Sequence, residues 1–145
     1  MLKALAKIER LTGHADCRAA LERGVDYYFK NLIDERGLPK PFAKPPRLVI
    51  YRRELYDLAE AINLSLLLRD RFPQFNTLLH TCLDELLQRW QMKNGAFPTR
   101  QLLVGWNRVP MHRWGLSITF RALALFVRSE TGAQTTKLLP STNPP

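Results

Sequence analysis

Residues 54–68 read ELYDLAEAINLSLLL, and residues 112–126, which lie 58 positions further along the chain, read HRWGLSITFRALALF. Each segment carries an aromatic residue in its third position, Tyr56 in the first and Trp114 in the second, and then continues into apolar residues at helical spacing. Such spacing predicts a helix in each segment. Both segments follow a loop that carries proline and arginine, so the chain repeats one arrangement of elements.

The repeat extends beyond these two helices. Gly37 corresponds to Gly95 and Leu58 to Leu116, and the order in both copies is a helix, a Gly/Pro turn, a loop and a second helix. Self-similarity of this kind predicts tandem helical hairpins that bury their apolar faces against one another, as in a solenoid or a closed ring. We therefore expect functional residues in the loops at one rim.

The length of 145 residues and the apolar content of 46% indicate one domain with its own core. We assign 1–130 to a domain of α-hairpin repeats and 131–145 to a flexible tail with little apolar surface. The formal net charge of +9 comes from 22 Lys and Arg against 13 Asp and Glu, spread along the chain. This charge favours anionic partners, such as acidic glycans, nucleic acids or anionic membranes, without choosing among them.

The two cysteines, Cys17 and Cys82, lie inside helical patterns, which favours reduced, buried thiols and a cytoplasmic location. No secretory signal and no membrane span are expected, because the apolar runs are shorter than the ~20 residues that cross a bilayer. The spacings of His14 with Cys17 and of His80 with Cys82 match no usual zinc arrangement. We therefore predict no metal and no cofactor.

Apolar spacing predicts five helices, at 1–11, 17–33, 55–68, 73–90 and 113–128. Asp16 is expected to cap the second helix, and prolines exclude a helix from the loop at 38–54. Residues 95–112 are compatible with a small β-hairpin whose turn lies near 105–107. The fold class is thus all-α, with tandem hairpins, long rim loops and a short β-hairpin. The aromatic residues expected in the core are Phe29, Phe75, Phe120 and Phe126, and Asp84 and Glu85 are expected on a solvated face.

Three stretches carry a family resemblance. The sequence NRVPMHRWG at 107–115 resembles the "Ile-Pro-Tyr-Met-Arg-Trp" entry to the last hairpin of bacterial α/α-toroid (six-hairpin-like) proteins associated with polysaccharide biosynthesis. GAFPTR at 95–100 is similar to their "Asp-Gly-Ser-Phe-x-x-Arg" turn, and ELYDLAEAI at 54–62 is similar to their "Asp-x-His-x-x-Ala-Gln-Ala-Ile" helix entry. The resemblance spans roughly residues 20–127.

The resemblance implies a partial α/α toroid. A complete ring of this kind needs about six hairpins, whereas the chain supplies two and a leading helix. It then looks like the C-terminal arc of a larger ring, either because the coding sequence is truncated or because a second copy or another protein completes the ring. Such an arc is expected to expose apolar surface and to form oligomers.

The resemblance also places candidate site residues. Glu54 stands at the family's acidic position, Tyr56 at its histidine and Glu60 at its glutamine, while Arg113 and Trp114 match it directly. The residues themselves add that a helix N-terminus attracts anions, and that Arg108 and His112 cluster there beside aromatic side chains. The candidates for acid/base catalysis are Glu54, Tyr56 and Glu60; those for ligand binding are Trp106, Arg108, His112, Arg113 and Trp114.

Three classes of function follow. The first is a polysaccharide-associated protein or fragment that binds or processes an acidic oligosaccharide, in which arginines hold a uronate or phosphate and tryptophans stack on sugar. Processing of the sugar requires Glu54, Tyr56, Arg108 and Arg113 to converge on one pocket, and this class leaves open whether the protein is an enzyme. The second is a noncatalytic helical-repeat scaffold or protein-interaction module. The third is nucleic-acid binding, which ranks last because the sequence shows no recognised motif for it.

Overall fold

A computed structural model describes residues 1–109 and 112–138, with side chains for 1–109 and 114–131. Within this part the protein is mostly helical and contains one small antiparallel sheet of three strands. Two of its helices are extended by π-helical turns, Leu86–Trp90 after the fourth and His112–Leu116 before the fifth. The remaining elements in chain order are α1 Leu2–Thr12, α2 Ala15–Leu32, β1 Tyr51–Glu54, α3 Leu55–Leu68, α4 Gln74–Glu85, β2 Arg100–Leu102, β3 Trp106–Asn107 and α5 Ser117–Leu138.

The connection between α1 and α2 is a tight turn. Gly13 has a φ of 66° and its amide donates to the carbonyl of Glu9 at 2.7 Å, which is the left-handed helix end that glycine adopts without strain. The expected cap at Asp16 is wrong. His14 is the N-cap, because its Nδ1 accepts the amide of Asp16 at 3.3 Å, and Asp16 lies in the first turn, where a carboxylate is favourable to the helix dipole.

Helix α3 is the central helix, and its bounds agree with the predicted 55–68. It packs against α4 and α5 and also contacts α1, while α1 packs against α2. Leu58, Ile62 and Leu68 are among its buried side chains. A helix that is apolar around most of its circumference belongs in the interior, and α3 occupies that position.

The phenylalanines expected in the core have different positions. Phe75 on α4 is fully buried and meets Phe29 of α2 edge to face at 4.9 Å between ring centroids. Phe29 and Phe126 are partly buried against the core. Phe120 is 76% exposed, so the prediction for it is wrong. It lies on a face of α5 that no other described element covers.

The predicted β-hairpin at 95–112 is confirmed. β2 and β3 pair antiparallel, but their turn lies at 103–105 and not at the predicted 105–107, because Trp106 and Asn107 form β3. The turn ends at Gly105, which has a φ of 79°. The third strand, β1, is the end of the proline-rich loop and pairs with β2, so that Tyr51 faces Leu102 and Glu54 faces Arg100. The sheet therefore fastens the loop before α3 to the hairpin before α5.

The two copies of the repeat share a backbone feature. Gly37 and Gly95 have φ angles of 74° and 81°, and each closes a turn by donating its amide to the carbonyl three residues earlier, at 2.9 and 2.8 Å. Helix α5 continues to Leu138, so the predicted tail begins inside a helix; residues 139–145 lie outside the described part.

Cys82 is buried and Cys17 is half-buried, and neither forms a disulfide within the described residues. Burial, with the neighbouring charge of Glu85 as a smaller cause, raises the pKa of the Cys82 thiol to about 12, so it stays protonated. None of the described helices is both long enough and apolar enough to cross a bilayer.

Candidate functional site

The N-terminal turn of α3 and the π-helical turn before α5 lie side by side. β1 leads directly into α3, and the amide of Leu55 donates to the carbonyl of Thr99 at 2.9 Å. On the other side of this junction, Gly115 approaches Leu55 so closely that a Cβ on it would be 3.3 Å from Leu55 Cδ2. The two helix starts thus lie next to each other.

A cleft of about 270 Å³, the aromatic cleft, opens at this junction, lined by Glu54, Leu55, Tyr56, Thr99, Trp114 and Gly115. Three of these residues were predicted from sequence. Tyr56 and Trp114 occupy equivalent positions in the two copies of the repeat, and both side chains are exposed. The rim therefore presents two aromatic side chains that a ring-shaped ligand can contact.

Arg100 fixes the carboxylate of Glu54. Its Nε and one terminal nitrogen each lie 2.8 Å from Glu54 Oε1, and its guanidinium lies over the ring of Tyr51, 4.7 Å from the centroid. Burial raises the pKa of Tyr56, and the charges of Glu60 and Asp57 raise it further. The aromatic cleft thus contains a carboxylate held in an ion pair and a phenol that retains its proton.

A second opening of about 520 Å³, the cationic cleft, lies where β3 meets the end of the fourth helix, lined by Arg89, Trp90, Gln91, Met92, Lys93, Asn94, Pro98, Trp106 and Arg108. Trp106 and Arg108 were predicted. Arg89 and Lys93 were not, because in the sequence they mark only the end of a helix. The sequence signal for Arg89 and Lys93 is that they flank Trp90. The segment 89–93 thus mixes basic and aromatic residues as the segment 106–108 does.

The floor of the cationic cleft is rigid. Trp106 packs edge to face on the buried Trp90, with ring centroids 4.9 Å apart, and the indole N–H of Trp90 donates to Glu85 at 3.4 Å. Glu85 is itself buried and accepts from Arg36 at 3.0 Å, so the prediction of a solvated face is wrong for Glu85. The Glu85 carboxylate thus holds the indole of Trp90, on which Trp106 packs.

The structure does not bring all the predicted residues together. Glu54, Tyr56 and Trp114 line the aromatic cleft, whereas Trp106 and Arg108 line the cationic cleft, so Arg108 does not share a pocket with Glu54 and Tyr56 as sugar processing requires. Pro98 lines one cleft and the adjacent Thr99 the other, so the two are joined along the chain. Glu60 forms an ion pair with Lys3 and lines a third cleft. The side chains of His112 and Arg113 lie outside the described residues.

Among the described residues, no group of three or more His, Cys, Asp or Glu is arranged to hold a metal ion. Comparison of the chain with protein-family models, with curated proteins and with solved structures finds no match. The functional argument therefore rests on the geometry of the clefts.

Proposed function

We propose that this chain is an arc of an α/α toroid that binds an acidic oligosaccharide along its rim. The observation that carries this proposal is the cationic cleft. Arg89, Lys93 and Arg108 line it together with Trp106, and no carboxylate is among the described residues that line it. Arg89 is partly neutralised, because its Nη1 lies 3.6 Å from Glu85 Oε2 below the cleft, so Lys93 and Arg108 supply most of the positive charge. Such a cleft, with an indole ring, is complementary to a ring-shaped ligand that carries negative charge.

The roles of the side chains follow from their chemistry. A guanidinium donates two parallel hydrogen bonds to a carboxylate or phosphate, so Arg108 suits a uronate or a phosphorylated sugar. Arg89, which is shared with Glu85, adds positive charge. The ammonium of Lys93 adds a mobile point charge. Trp106 is half-buried and held by Trp90, so it offers a fixed apolar surface against which a sugar ring can pack.

The aromatic cleft extends this surface. It adjoins the cationic cleft through Pro98 and Thr99 and adds Tyr56 and Trp114. A sugar chain anchored by its acidic residue in the cationic cleft would place a following residue against this second aromatic pair. We therefore expect oligosaccharides to bind more tightly than single sugars.

The geometry favours binding over turnover. Acid/base catalysis needs groups that exchange protons near neutral pH. Glu54 is held by Arg100, the pKa of Tyr56 is raised, and Glu60 lines another cleft, where it pairs with Lys3. The three proposed catalytic residues thus form no acid/base pair within the described part of the chain, and the protein is proposed as a binding module.

The toroid itself is supported by two features of the helices. α3 contacts both α1 and α5, as alternate helices of consecutive hairpins do in a ring, and the glycines of the two copies share one backbone conformation. The curvature of such an arc would place the loops before α3 and α5 at one rim. This is where both clefts lie.

Calorimetric titration with a linear oligomer of galacturonic acid tests the proposal, with its fully methyl-esterified form as the uncharged match. The acidic oligomer should bind and the ester should bind at least tenfold more weakly. Arg108→Ala should weaken binding of the acid by about tenfold, the value of one charge-assisted hydrogen bond. Arg10→Ala, which removes an exposed arginine on α1, is the control. Equal affinity for acid and ester would refute the proposal.

A second candidate function, a scaffold module whose ring is completed by further subunits, is favoured by the surface of α5. Phe120 and Val127 are 76% and 58% exposed on this helix. The repeat equivalent of Phe120 is Ile62, which is completely buried in α3. The face that α3 covers with neighbouring helices is thus open in α5, as at the end of an interrupted array.

Light scattering across a concentration series tests the scaffold. The wild-type chain should gain mass as its concentration rises, and Phe120→Glu should remain monomeric. Leu48→Glu is the matched control, because Leu48 is 80% exposed but lies in the loop before β1. A wild-type mass that stays monomeric at every concentration would exclude this function.

A further inference from the structure

A third cleft, of about 480 Å³, lies between α1, α2, α3 and the segment 39–41, and it shares no lining residue with the two rim clefts. Its walls are largely apolar and include Leu2, Leu32, Pro39 and Leu64. Tyr28 forms part of the wall and is held in place, because its ring stacks on that of Phe75 with 6.3 Å between centroids. The cleft is therefore a formed cavity with a rigid aromatic side.

Asp57 is the unusual polar group of this cleft. Its Oδ2 is buried and has no hydrogen-bond partner among the described residues. Burial raises the pKa of Asp57 to about 7, the charge of Glu54 raises it further, and Arg100 opposes both. A carboxyl group with one oxygen shielded from water and without a partner is costly to ionise, and a positive charge placed beside Asp57 in the cleft would reduce that cost.

Among the charged groups around this cleft, Asp57 is the carboxylate to which a cationic ligand can pair. Glu60, one turn further along α3, is already neutralised by Lys3, and Arg100 is committed to Glu54. The titratable and charged groups around Asp57 are the amino group of Met1, Lys3 on α1, Tyr27 and Tyr28 on α2, Lys40 in the loop, Tyr51 and Glu54 on β1, Tyr56 and Glu60 on α3, and Arg100 on β2.

We infer that this cleft binds a small organic ammonium ligand, with the apolar body against Tyr28 and Leu64 and the ammonium paired to the Asp57 carboxylate. The apolar walls account for the body of the ligand, and the Asp57 carboxyl group, which lines the cleft, accounts for its charge. The aromatic face of Tyr28 adds a cation–π contribution. This site is separate from the proposed glycan surface and would not depend on it.

Three probes of one shape test the charge requirement: 2-phenylethylammonium, 2-phenylethanol and phenylacetate. Calorimetry at pH 8 should show binding of the ammonium, at least tenfold weaker binding of the alcohol, and none of the carboxylate. Binding of the ammonium should weaken at least tenfold at pH 5.5, where Asp57 is protonated, and binding at pH 7 should release protons. Equal affinities for the three probes would overturn the inference.

Asp57→Asn should abolish the preference for the ammonium and its pH dependence, because the amide has nearly the same shape but no charge. Asp84→Asn, at an exposed position on α4, is the matched control and should bind like the wild type. A cooperative melting transition of Asp57→Asn shows that it is folded. Tight, pH-dependent binding of the ammonium by the folded Asp57→Asn variant would contradict the assignment.

Discussion

Arg53 shows how one charged side chain fixes the position of a loop. Arg53 is only 7% exposed, and its guanidinium pairs with the carboxylate of Asp34, which lies 19 positions earlier in the chain. The Asp34 carboxylate also accepts hydrogen bonds from the amides of Arg36 and Leu38, at 2.9 and 3.0 Å. One carboxylate therefore holds the turn after α2 and, through Arg53, ties β1 to that turn. Removing one partner of a buried pair leaves the other without compensation, which costs more than the loss of a surface pair.

Arg53→Ala should therefore lower the free energy of unfolding by about 2–4 kcal/mol. Urea denaturation followed by circular dichroism measures this change. The adjacent Arg52 is exposed, and Arg52→Ala should change stability by less than about 0.5 kcal/mol. Equal stabilities of the two variants would show that the pair with Asp34 does not hold the loop.

Asp57 makes stability depend on pH. Its pKa is about 7 in the folded protein against an ordinary value of 3.8, so folding favours the protonated form. That contribution is complete below pH 4 and is lost as the pH rises through 7. Asp57→Asn cannot ionise, so its stability relative to the wild type should rise by roughly 3–4 kcal/mol between pH 4 and pH 8. Melting temperatures across this range would show it, and a constant difference would contradict it.

At the scale of elements, the helices could be read from the sequence and the sheet only in part. α3 was placed correctly because it is apolar around most of its circumference, and the hairpin of β2 and β3 has a local signal in Gly105. β1 was missed because its partner, Leu102 for Tyr51, is far away in sequence and the four residues of the strand carry no pattern of their own. Phe120 was predicted to be buried because its spacing in α5 matches that of an apolar helix face. Burial of that face would need a further element packed on it, and none of the described elements does so.

Some residues of the candidate sites could likewise be predicted from the sequence and others could not. Tyr56 and Trp114 could be found because the repeat makes them equivalent, and the structure places them in one cleft. Arg89 and Lys93 join Trp106 only through tertiary structure, and their position on both sides of Trp90 was an indirect signal in the sequence. Asp57 was overlooked because its pKa is raised mainly by burial, which a helical pattern does not report.

The junction between α3 and the π-helical turn before α5 requires a glycine. Since a Cβ on Gly115 would already lie 3.3 Å from the fully buried Leu55, Gly115→Val should destabilise the protein by about 1–3 kcal/mol through overpacking. The cost should shrink in a Leu55→Ala background, because the two side chains then no longer compete for space. Chemical denaturation of the four proteins in this cycle gives the coupling, and strictly additive effects would contradict the contact.

At the scale of the whole molecule, the fold separates stability from recognition. The interior is organised around α3, and its buried aromatic and aliphatic residues join the helices. The sheet carries the loops, and both rim clefts lie beside it. In the proposed function, the net charge of +9 would favour approach of an acidic ligand from any side, and the cationic cleft would provide the specific arrangement.

The three tryptophans allow this account to be tested in one spectrum, because each has a different place. Trp106 lines the cationic cleft, Trp114 lines the aromatic cleft, and Trp90 is fully buried. The measurement is a titration of protein labelled with ¹⁵N at the indole nitrogens with the galacturonic acid oligomer, with Trp→Phe variants to assign the three signals. The Trp106 signal should shift saturably, Trp114 should follow as the oligomer lengthens, and Trp90 should change least. If the methyl ester shifts Trp106 equally, or if the acid leaves Trp106 unmoved, the proposed glycan site is wrong.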